Sequence, residues 1–456
     1  MRSLLSSLVT LVFVGAFSRD VLAEPAPGTE SPTTSSATPA TTPATTSATA
    51  TTTPETAPVA ATPTPDLPPS PPVAAPPPPP PIVAPVRPIE VPKPKKEEPH
   101  WYEKIKIRGY TQIRYNQLGA TNERLVNTQG DRSIGKDGGI LIRRARLILQ
   151  GDVHDHVFVY LQPDFASVVS DQYHVPTMRD WYADVSIDKR KEFRFRVGQS
   201  KVPYGFENMQ SSQNRAPFDR SDAINSAVKD ERDLGIFFYW APERIRKRFK
   251  MLVDSGLKGS GDYGVVALGA YNGQTANQKE KNATPHVVAR LTWPFLVGKK
   301  QIVEVGAGGY AGKYVVKTAD DVTAPDEVQD MRLHAALTVY PQPIGFQAEY
   351  NIGRGPELVD GTRIEDRPLH GGYAMLNAQV WDFFPYVRGV LYEGGRKFET
   401  NAPHYSVREL EIGTEWRPFS ALEITAAYTF AERTHPEAPY PQERGRLLRL
   451  QVQFNY

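Results

Sequence analysis

Arginine and lysine side chains recur at every second position in several short stretches of the chain. Lys106, Arg108 and Arg114 share one face of one stretch, and Arg144 and Arg146 share one face of another. The planar fork of a guanidinium group can hold two oxygen atoms of an oxyanion at once. Residues of this type at this spacing predict a basic wall along which small anions bind or pass.

Motifs of enzymes and of metal or cofactor sites are missing from the sequence. It contains no G-x-S-x-G, H-E-x-x-H or P-loop motif, and it has no cysteine. The glycine cluster at 306–312 lies in a strand pattern without a following helix, which favours a smooth barrel wall over a phosphate loop. His154, Asp155 and His156 lie at a predicted short turn, where polar residues are common. The sequence therefore predicts a protein that is not an enzyme and that uses no cofactor or metal.

The basic side chains lie on predicted strands whose opposite faces are apolar. Phe193, Phe195 and Val197 point one way, whereas Arg194 and Arg196 point the other. The same alternation recurs after residue 100, and no helical segment could cover so much apolar surface. We therefore expect lipid to cover it. An arginine on the lipid face would cost about 2–4 kcal/mol near the midplane, so the basic side chains are expected to face the lumen.

The spacing of turn residues predicts an all-β fold, a 16-stranded antiparallel transmembrane β-barrel. The candidate strands are 103–115, 140–151, 156–164, 178–188, 191–200, 232–240, 263–271, 285–294, 300–312, 329–340, 344–353, 368–381, 384–394, 404–417, 421–432 and 446–456. Long connections, at 116–139, 165–177, 201–231, 272–284, 313–328, 354–367, 395–403 and 433–445, alternate with short ones, as in outer-membrane barrels. The connection 241–262 is long where a short turn is due. Its segment 248–253 could be a further strand, which leaves eighteen strands as the alternative.

Composition divides the chain into three parts. Residues 1–23 have the basic start, apolar run and small-residue cleavage site of a signal peptide. Residues 24–99 are rich in Pro, Thr and Ala and cannot bury a core, so they are expected to form a disordered periplasmic spacer. The spacer is either a solvated tail or a tether to peptidoglycan. Residues 100–456 form the barrel domain.

The connection 201–231 is the candidate constriction. It exceeds 30 residues and mixes basic with acidic side chains, and loops of that length in a compact domain are usually functional or disordered. Its basic members Lys201, Arg215 and Arg220 are expected to line a narrowed lumen. The alternative is an exposed surface loop.

With these strands placed, the chain resembles the phosphate-selective porin O and P family of Gram-negative outer membranes. The resemblance rests on residues 107–110 (IRGY), 143–147 (RRARL), 198–205 (GQSKVPYG), 232–235 (RDLG), 268–273 (LGAYNG) and 289–294 (ARLTWP). A final strand that alternates up to the terminal Tyr456 resembles the C-terminal signature of outer-membrane barrels. The family resemblance implies a trimeric sixteen-stranded barrel, an inward-folded third extracellular loop, and passage of anions or phosphate. The Pro-rich spacer departs from the family pattern.

The predicted function is an outer-membrane porin for passive uptake of small anions, such as phosphate or related oxyanions. The residues expected along the anion path are Lys106, Arg108, Arg114, Arg144, Arg146, Arg194, Arg196 and Arg449. Lumenal acids are expected on other strands, at Asp180, Asp184, Asp188, Glu409, Glu411, Glu415 and Glu423, so that charge is separated across the bore. Expected partners are small anionic solutes, outer-membrane lipid and two further copies of the chain, without nucleic acid. The alternatives are a general diffusion porin and a barrel that mainly anchors the envelope.

Overall fold

The sixteen strands of the described residues pair in sequence order into one closed antiparallel barrel. A computed structural model describes residues 100–120, 139–169, 172–434 and 442–456. The strands are β1 (Lys106–Ala120), β2 (Gly139–His154), β3 (Val157–Val169), β4 (Gln172–Ser186), β5 (Phe193–Lys201), β6 (Arg232–Trp240), β7 (Val266–Tyr271), β8 (His286–Val297), β9 (Gln301–Tyr314), β10 (Val328–Val339), β11 (Ile344–Val359), β12 (Arg363–Ala378), β13 (Phe383–Gly395), β14 (His404–Phe419), β15 (Leu422–Thr434) and β16 (Gln442–Asn455). The predicted signal peptide and spacer lie outside the described residues.

The barrel closes where β1 pairs with β16. Tyr110 lies opposite Asn455, and the backbone N–H of Gly109 donates a 2.6 Å hydrogen bond to the carbonyl of Tyr456. Closure leaves no open sheet edge, which the hydrocarbon core of a membrane would not tolerate. The termini of the barrel domain therefore lie at one end. The short turns lie at this end, which is the periplasmic end in outer-membrane barrels.

The register of the strands separates an apolar exterior from a polar interior. Ile107, Ile236 and Leu333 are more than half exposed on the outer surface, whereas Arg114 is 0 % exposed inside. The alternation predicted for β5 and β6 is present, with Phe193, Phe195 and Val197 on the outside. This exterior is the one expected for a barrel surrounded by lipid.

Two predicted long loops are wrong, because the strands continue through them. β3 extends to Val169 and β4 begins at Gln172, so strands occupy most of the predicted loop 165–177. β11 and β12 likewise pair as far as Val359 and Arg363, inside the predicted loop 354–367. Hydrophobic alternation stops where a hairpin leaves the lipid. Backbone hydrogen bonds between strands do not depend on that alternation, so the strands continue beyond the membrane. The predicted loops 116–139 and 433–445 lie in large part outside the described residues.

A helix, and not a further strand, occupies the long connection between β6 and β7. Helix α1 (Asp222–Asn225) is a single turn in the β5–β6 loop, and α2 (Glu243–Asp254) covers the segment 248–253. Ile245, Phe249 and Leu252 are buried along one side of α2 at helical spacing. The eighteen-strand alternative is therefore wrong.

No helix in the described ranges is both long and apolar enough to cross a membrane.

Replacing Leu333 by Arg should destabilise the barrel by about 2–4 kcal/mol, because this outward side chain lies at the centre of β10. Ile344→Arg, at the outward-facing start of β11, is the matched control and should cost about 1 kcal/mol or less near the membrane surface. Urea unfolding in lipid vesicles, followed by tryptophan fluorescence, measures both. Equal costs would contradict the proposed depth of the two positions.

Candidate functional site

The β5–β6 loop, residues 202–231, lies inside the barrel and contacts strands on different sides of the lumen. Gln112 on β1 donates a 3.1 Å hydrogen bond to the Ser212 carbonyl. Glu349 on β11 accepts hydrogen bonds from the backbone N–H groups of Phe206 and Glu207, at 2.8 and 3.0 Å. The loop therefore crosses the bore and is hydrogen-bonded to the barrel wall on both sides, at β1 and at β11.

Apolar contacts fix the same loop against aromatic patches on the inner wall. Val202, Tyr204 and Val228 pack with the inward-facing Phe237 and Tyr239 of β6. A second group, on the far side, joins Phe218 and Ile224 to Tyr373, Phe384 and Tyr392. Without the loop these inward aromatic side chains would face an open lumen. The loop therefore displaces water from that part of the lumen.

Asp219, on this loop, joins the loop to the basic wall. Its carboxylate lies 3.1 Å from Arg114 on β1, 3.0 Å from Arg449 on β16 and 3.8 Å from Arg143 on β2. Burial raises the pKa of Asp219, but the neighbouring arginines lower it more, so that it lies far below its ordinary value. The carboxylate is therefore ionised at neutral pH.

Protein groups hold most of the arginines that are expected along the anion path. Arg146 lies 2.7 Å from Asp164 on β3, and one of its nitrogens donates to Ser212 at 3.2 Å. Arg144 donates a 2.7 Å hydrogen bond to the neutral Gln112 side chain and is 5 % exposed. The inward loop therefore covers this part of the basic wall.

The three basic residues expected to form the constriction also bond within the loop. Lys201 donates to the carbonyls of Met209 and Gln210, at 2.9 and 2.6 Å. Arg220 pairs with Glu231, and Arg215 donates to two loop carbonyls. Burial lowers the pKa of Arg215 to about 9. Arg215 and Arg220 thus hold the shape of the loop.

A cavity of about 210 Å³ remains between the loop, the wall formed by β1 and β3–β6, and the β6–β7 connection. Its basic lining residues are Arg108, Arg196, Lys201 and Arg232, and its acidic ones are Asp180 and Asp262. Tyr160, Tyr182 and Tyr263 supply aromatic surface. Sequence reasoning named Arg108, Arg196 and Lys201 but missed Arg232 and the tyrosines. The RDLG motif at 232–235 was the signal available for Arg232.

Arg196 and two further predicted path residues differ in their surroundings. Arg196 forms a bidentate pair with Asp184, at 2.7 and 2.9 Å, and lies 3.8 Å above the ring of Tyr182. Arg194 lies 2.8 Å from Asp262, beside the cavity. Lys106 is exposed near the periplasmic end of β1. Its role in an anion path therefore stays a prediction.

The lumenal acids do not form a separate arc as expected, because basic side chains reach most of them. Asp180 pairs with Arg232 at 2.8 Å, Glu411 lies 3.6 Å from Arg388, and Glu409 lies 3.3 Å from Arg433. Asp188 instead accepts the Phe193 N–H at the β4–β5 turn. Charges of opposite sign therefore lie side by side at these positions of the lumen. Within the described residues, no group of three or more His, Asp and Glu side chains could hold a metal ion.

Known proteins resemble this chain in sequence and in fold. A family model described as phosphate-selective porin O and P matches residues 115–456. The outer membrane channel DcaP of Acinetobacter baumannii has a similar fold, with a TM-score of 0.53 at 12 % identity over 77 % of this chain and 97 % of that chain. Further matches are an anion-selective porin of Comamonas acidovorans (TM-score 0.45, 9 % identity, 77 % and 99 % covered) and the trimer form of OmpT of Vibrio cholerae (TM-score 0.46, 11 % identity, 77 % and 100 % covered). No curated protein sequence matches the chain.

Replacing Asp219 by Asn should loosen the β5–β6 loop, because buried arginines lose the carboxylate that compensates their charge. We expect a loss of about 3 kcal/mol in the free energy of unfolding and a noisier open channel. Asp360→Asn, at an exposed turn between β11 and β12, is the matched control. Urea unfolding and single-channel recording test the prediction. Indistinguishable behaviour of the two variants would show that Asp219 does not hold the loop.

Proposed function

The chain belongs to the phosphate-selective porin O and P family, and on this basis we propose that it takes up small anions, such as phosphate or related oxyanions, by passive diffusion. It is a β-barrel porin of the Gram-negative outer membrane, and not an enzyme. The family membership is shown by the comparison, whereas the preference for small anions is our proposal. The proposed route is the cavity between the β5–β6 loop and the β1–β6 side of the barrel.

The charge of the cavity lining carries this proposal. Four basic side chains and two acidic ones line it. Arg108 donates a 3.3 Å hydrogen bond to Gln213, a neutral group, and no carboxylate of the described residues lies within ion-pair distance of it. A surplus of one sign in a narrow, low-dielectric passage concentrates ions of the opposite sign. Arg108 is therefore the lining cation best placed to attract a passing anion.

The pairing of the other cations suits rapid passage. Arg196 and Arg232 each share their charge with an aspartate, so an oxyanion meets partial charges and hydrogen-bond donors at these positions. An ion channel needs sites that are favourable enough to enter and weak enough to leave. Several such moderate contacts in series support conduction better than a single strong site would.

One observation favours general diffusion as the second candidate. Many lumenal charges of the described residues are paired, so that much of the positive charge is compensated locally. A nearly balanced lumen would pass small solutes of either sign. Reversal potentials separate these two candidates.

Assembly and the N-terminal segment are further parts of the proposal. We take residues 1–23 as a signal peptide, 24–99 as a periplasmic spacer that reaches toward peptidoglycan, and 100–456 as the barrel. A homotrimer is proposed from the family resemblance. A peptidoglycan pull-down with and without residues 24–99 tests the spacer, and the mass of the detergent-purified protein tests the trimer.

The purified porin in a planar bilayer should give a reversal potential of anionic sign in a potassium chloride gradient. Phosphate added to the bath should reduce the chloride current, because both anions would use the same basic residues. A cationic sign would refute anion selectivity. A reversal potential near zero without inhibition by phosphate would support general diffusion.

Replacing Arg108 by Ala should shift the reversal potential toward zero and cost about 1 kcal/mol or less, because it removes one hydrogen bond to a neutral group. Arg146→Ala is the contrasting variant. It removes a buried ion-pair partner of Asp164 and should cost about 3 kcal/mol, although the cavity lining stays intact. Bilayer recordings and urea unfolding of both variants test this separation. If Arg108→Ala kept its selectivity, the cavity would not be the route of anions.

A further inference from the structure

The connection between β6 and β7, residues 241–265, enters the lumen from the periplasmic end. After α2 the chain turns inward, and the ammonium group of Lys258 lies 2.6 and 2.8 Å from the two carboxylate oxygens of Glu415. Glu415 belongs to β14, which stands half-way round the ring from β6. We call residues 256–263 the periplasmic crosspiece, because they reach across the bore from one wall to the opposite one.

Further polar contacts hold the crosspiece beside the β5–β6 loop. The Gln210 side chain donates a 2.6 Å hydrogen bond to the Lys258 carbonyl, and Asn214 donates a 2.8 Å hydrogen bond to the Gly259 carbonyl. At the other end, Asp262 lies 2.8 Å from Arg194 on β5. The extracellular loop and the periplasmic crosspiece therefore meet inside the lumen.

Apolar packing of helix α2, which precedes the crosspiece in the chain, fixes the position of the crosspiece in the lumen. Ile245, Phe249 and Leu252 of α2 pack with Phe206 of the loop and with Tyr340 between β10 and β11. Burial of these three large apolar side chains along one helix face stabilises the position of the helix. The crosspiece is thus a packed part of the lumen and not a loose turn.

The crosspiece supplies one wall of the cavity that Arg108 and Arg232 also line. That wall consists of Gly259, Ser260 and Gly261, followed by Asp262 and Tyr263. Ser260 is 4 % exposed, and within the described residues its hydroxyl has no hydrogen-bond partner. Buried hydroxyl groups normally have a partner, and those without one call for an explanation. A hydroxyl that lines an anion route can donate to an oxyanion.

We propose that the periplasmic crosspiece is a second selectivity element of the channel, in which Ser260 donates a hydrogen bond to a small oxyanion such as inorganic phosphate. The proposal rests on the anion route proposed above. The β5–β6 loop narrows the bore from the extracellular side, and the crosspiece narrows it from the periplasmic side. The Lys258–Glu415 ion pair keeps the crosspiece across the bore.

Cysteine modification tests whether Ser260 faces the route, and the absence of native cysteine makes every label specific. Ser260→Cys changes one atom, and the full-length channel can then be treated with an anionic and a cationic methanethiosulfonate. Both reagents should reduce conductance by about twofold or more, because they add bulk to a narrow passage. The anionic reagent should also shift the reversal potential toward cations, and the cationic one should shift it the opposite way.

Ser255→Cys is the matched control on the same connection. Ser255 is exposed at the end of α2, and its hydroxyl donates to the Met251 carbonyl, so labelling there should leave conductance unchanged. Mass spectrometry measures labelling of both variants. The proposal fails if the thiol of the Ser260→Cys variant does not react in the folded channel, or if it reacts without a change in conductance.

Two further variants test the hydrogen bond and the ion pair. Ser260→Ala should weaken the inhibition of chloride current by phosphate about two- to tenfold, and unchanged inhibition would refute the role of the hydroxyl. Lys258→Met should raise conductance and open-channel noise, whereas Lys250→Met on the exposed face of α2 should not. Glu415→Gln breaks the same pair from the other side and replaces Lys258→Met if that variant does not fold. Unchanged conductance would show that the pair does not hold the crosspiece.

These results separate failure of the inference from failure of the proposed function. A wild-type reversal potential of zero or cationic sign would refute the anion route and, with it, the role of the Ser260 hydroxyl, but not the narrowing of the bore by the crosspiece. The conductance change after labelling of Ser260→Cys does not depend on ion preference. An anion-selective wild type with no effect at position 260 would instead refute only the crosspiece.

Discussion

The structure depends on the requirement that backbone N–H and C=O groups be paired within the membrane. A sheet meets this requirement only by closing on itself, as β1 and β16 do. Successive side chains of every strand point to opposite faces of the sheet, and closure turns one face toward lipid and the other toward a shared lumen. The polar interior is therefore a consequence of closure. Charged side chains in this confined lumen must then be compensated by groups of opposite charge or by hydrogen bonds.

That confinement accounts for the many ion pairs of the lumen. A buried pair gains little over apolar residues of the same size, but the loss of one partner is costly. Asp219 shows the consequence, because its single carboxylate lies close to arginines of three different strands. Pairs of this kind select one position of the β5–β6 loop among many. We interpret them as devices of specificity more than as sources of stability.

Sequence reasoning succeeded where the structure depends on local periodicity. The sixteen strands, their inward and outward faces, and the arginines of the interior all come from the two-residue alternation. The contacts of Arg114 and Arg449 with Asp219 could not be predicted, because Asp219 lies 105 and 230 residues away from them in the chain. The predicted hairpins β3–β4 and β11–β12 are too short, because strand pairing continues beyond the last residue that follows the hydrophobic alternation. Helix α2 did have a signal, since Ile245, Phe249 and Leu252 recur at helical spacing, but the six-residue segment 248–253 also alternates as a strand would.

The ion pairs also reduce the number of lumenal charges that can determine ion selectivity. A count of lumenal arginines overstates the field that an ion meets, because a paired guanidinium and carboxylate act together mainly as a dipole. The groups that matter are those whose charge or hydrogen-bonding capacity is left over, such as Arg108 beside neutral Gln213 and the hydroxyl of Ser260. Both line the same cavity, and each comes from a different element of the chain. Selectivity in this barrel should therefore depend on a few residues where the loop and the crosspiece meet, while the larger number of charges keeps those two segments in place.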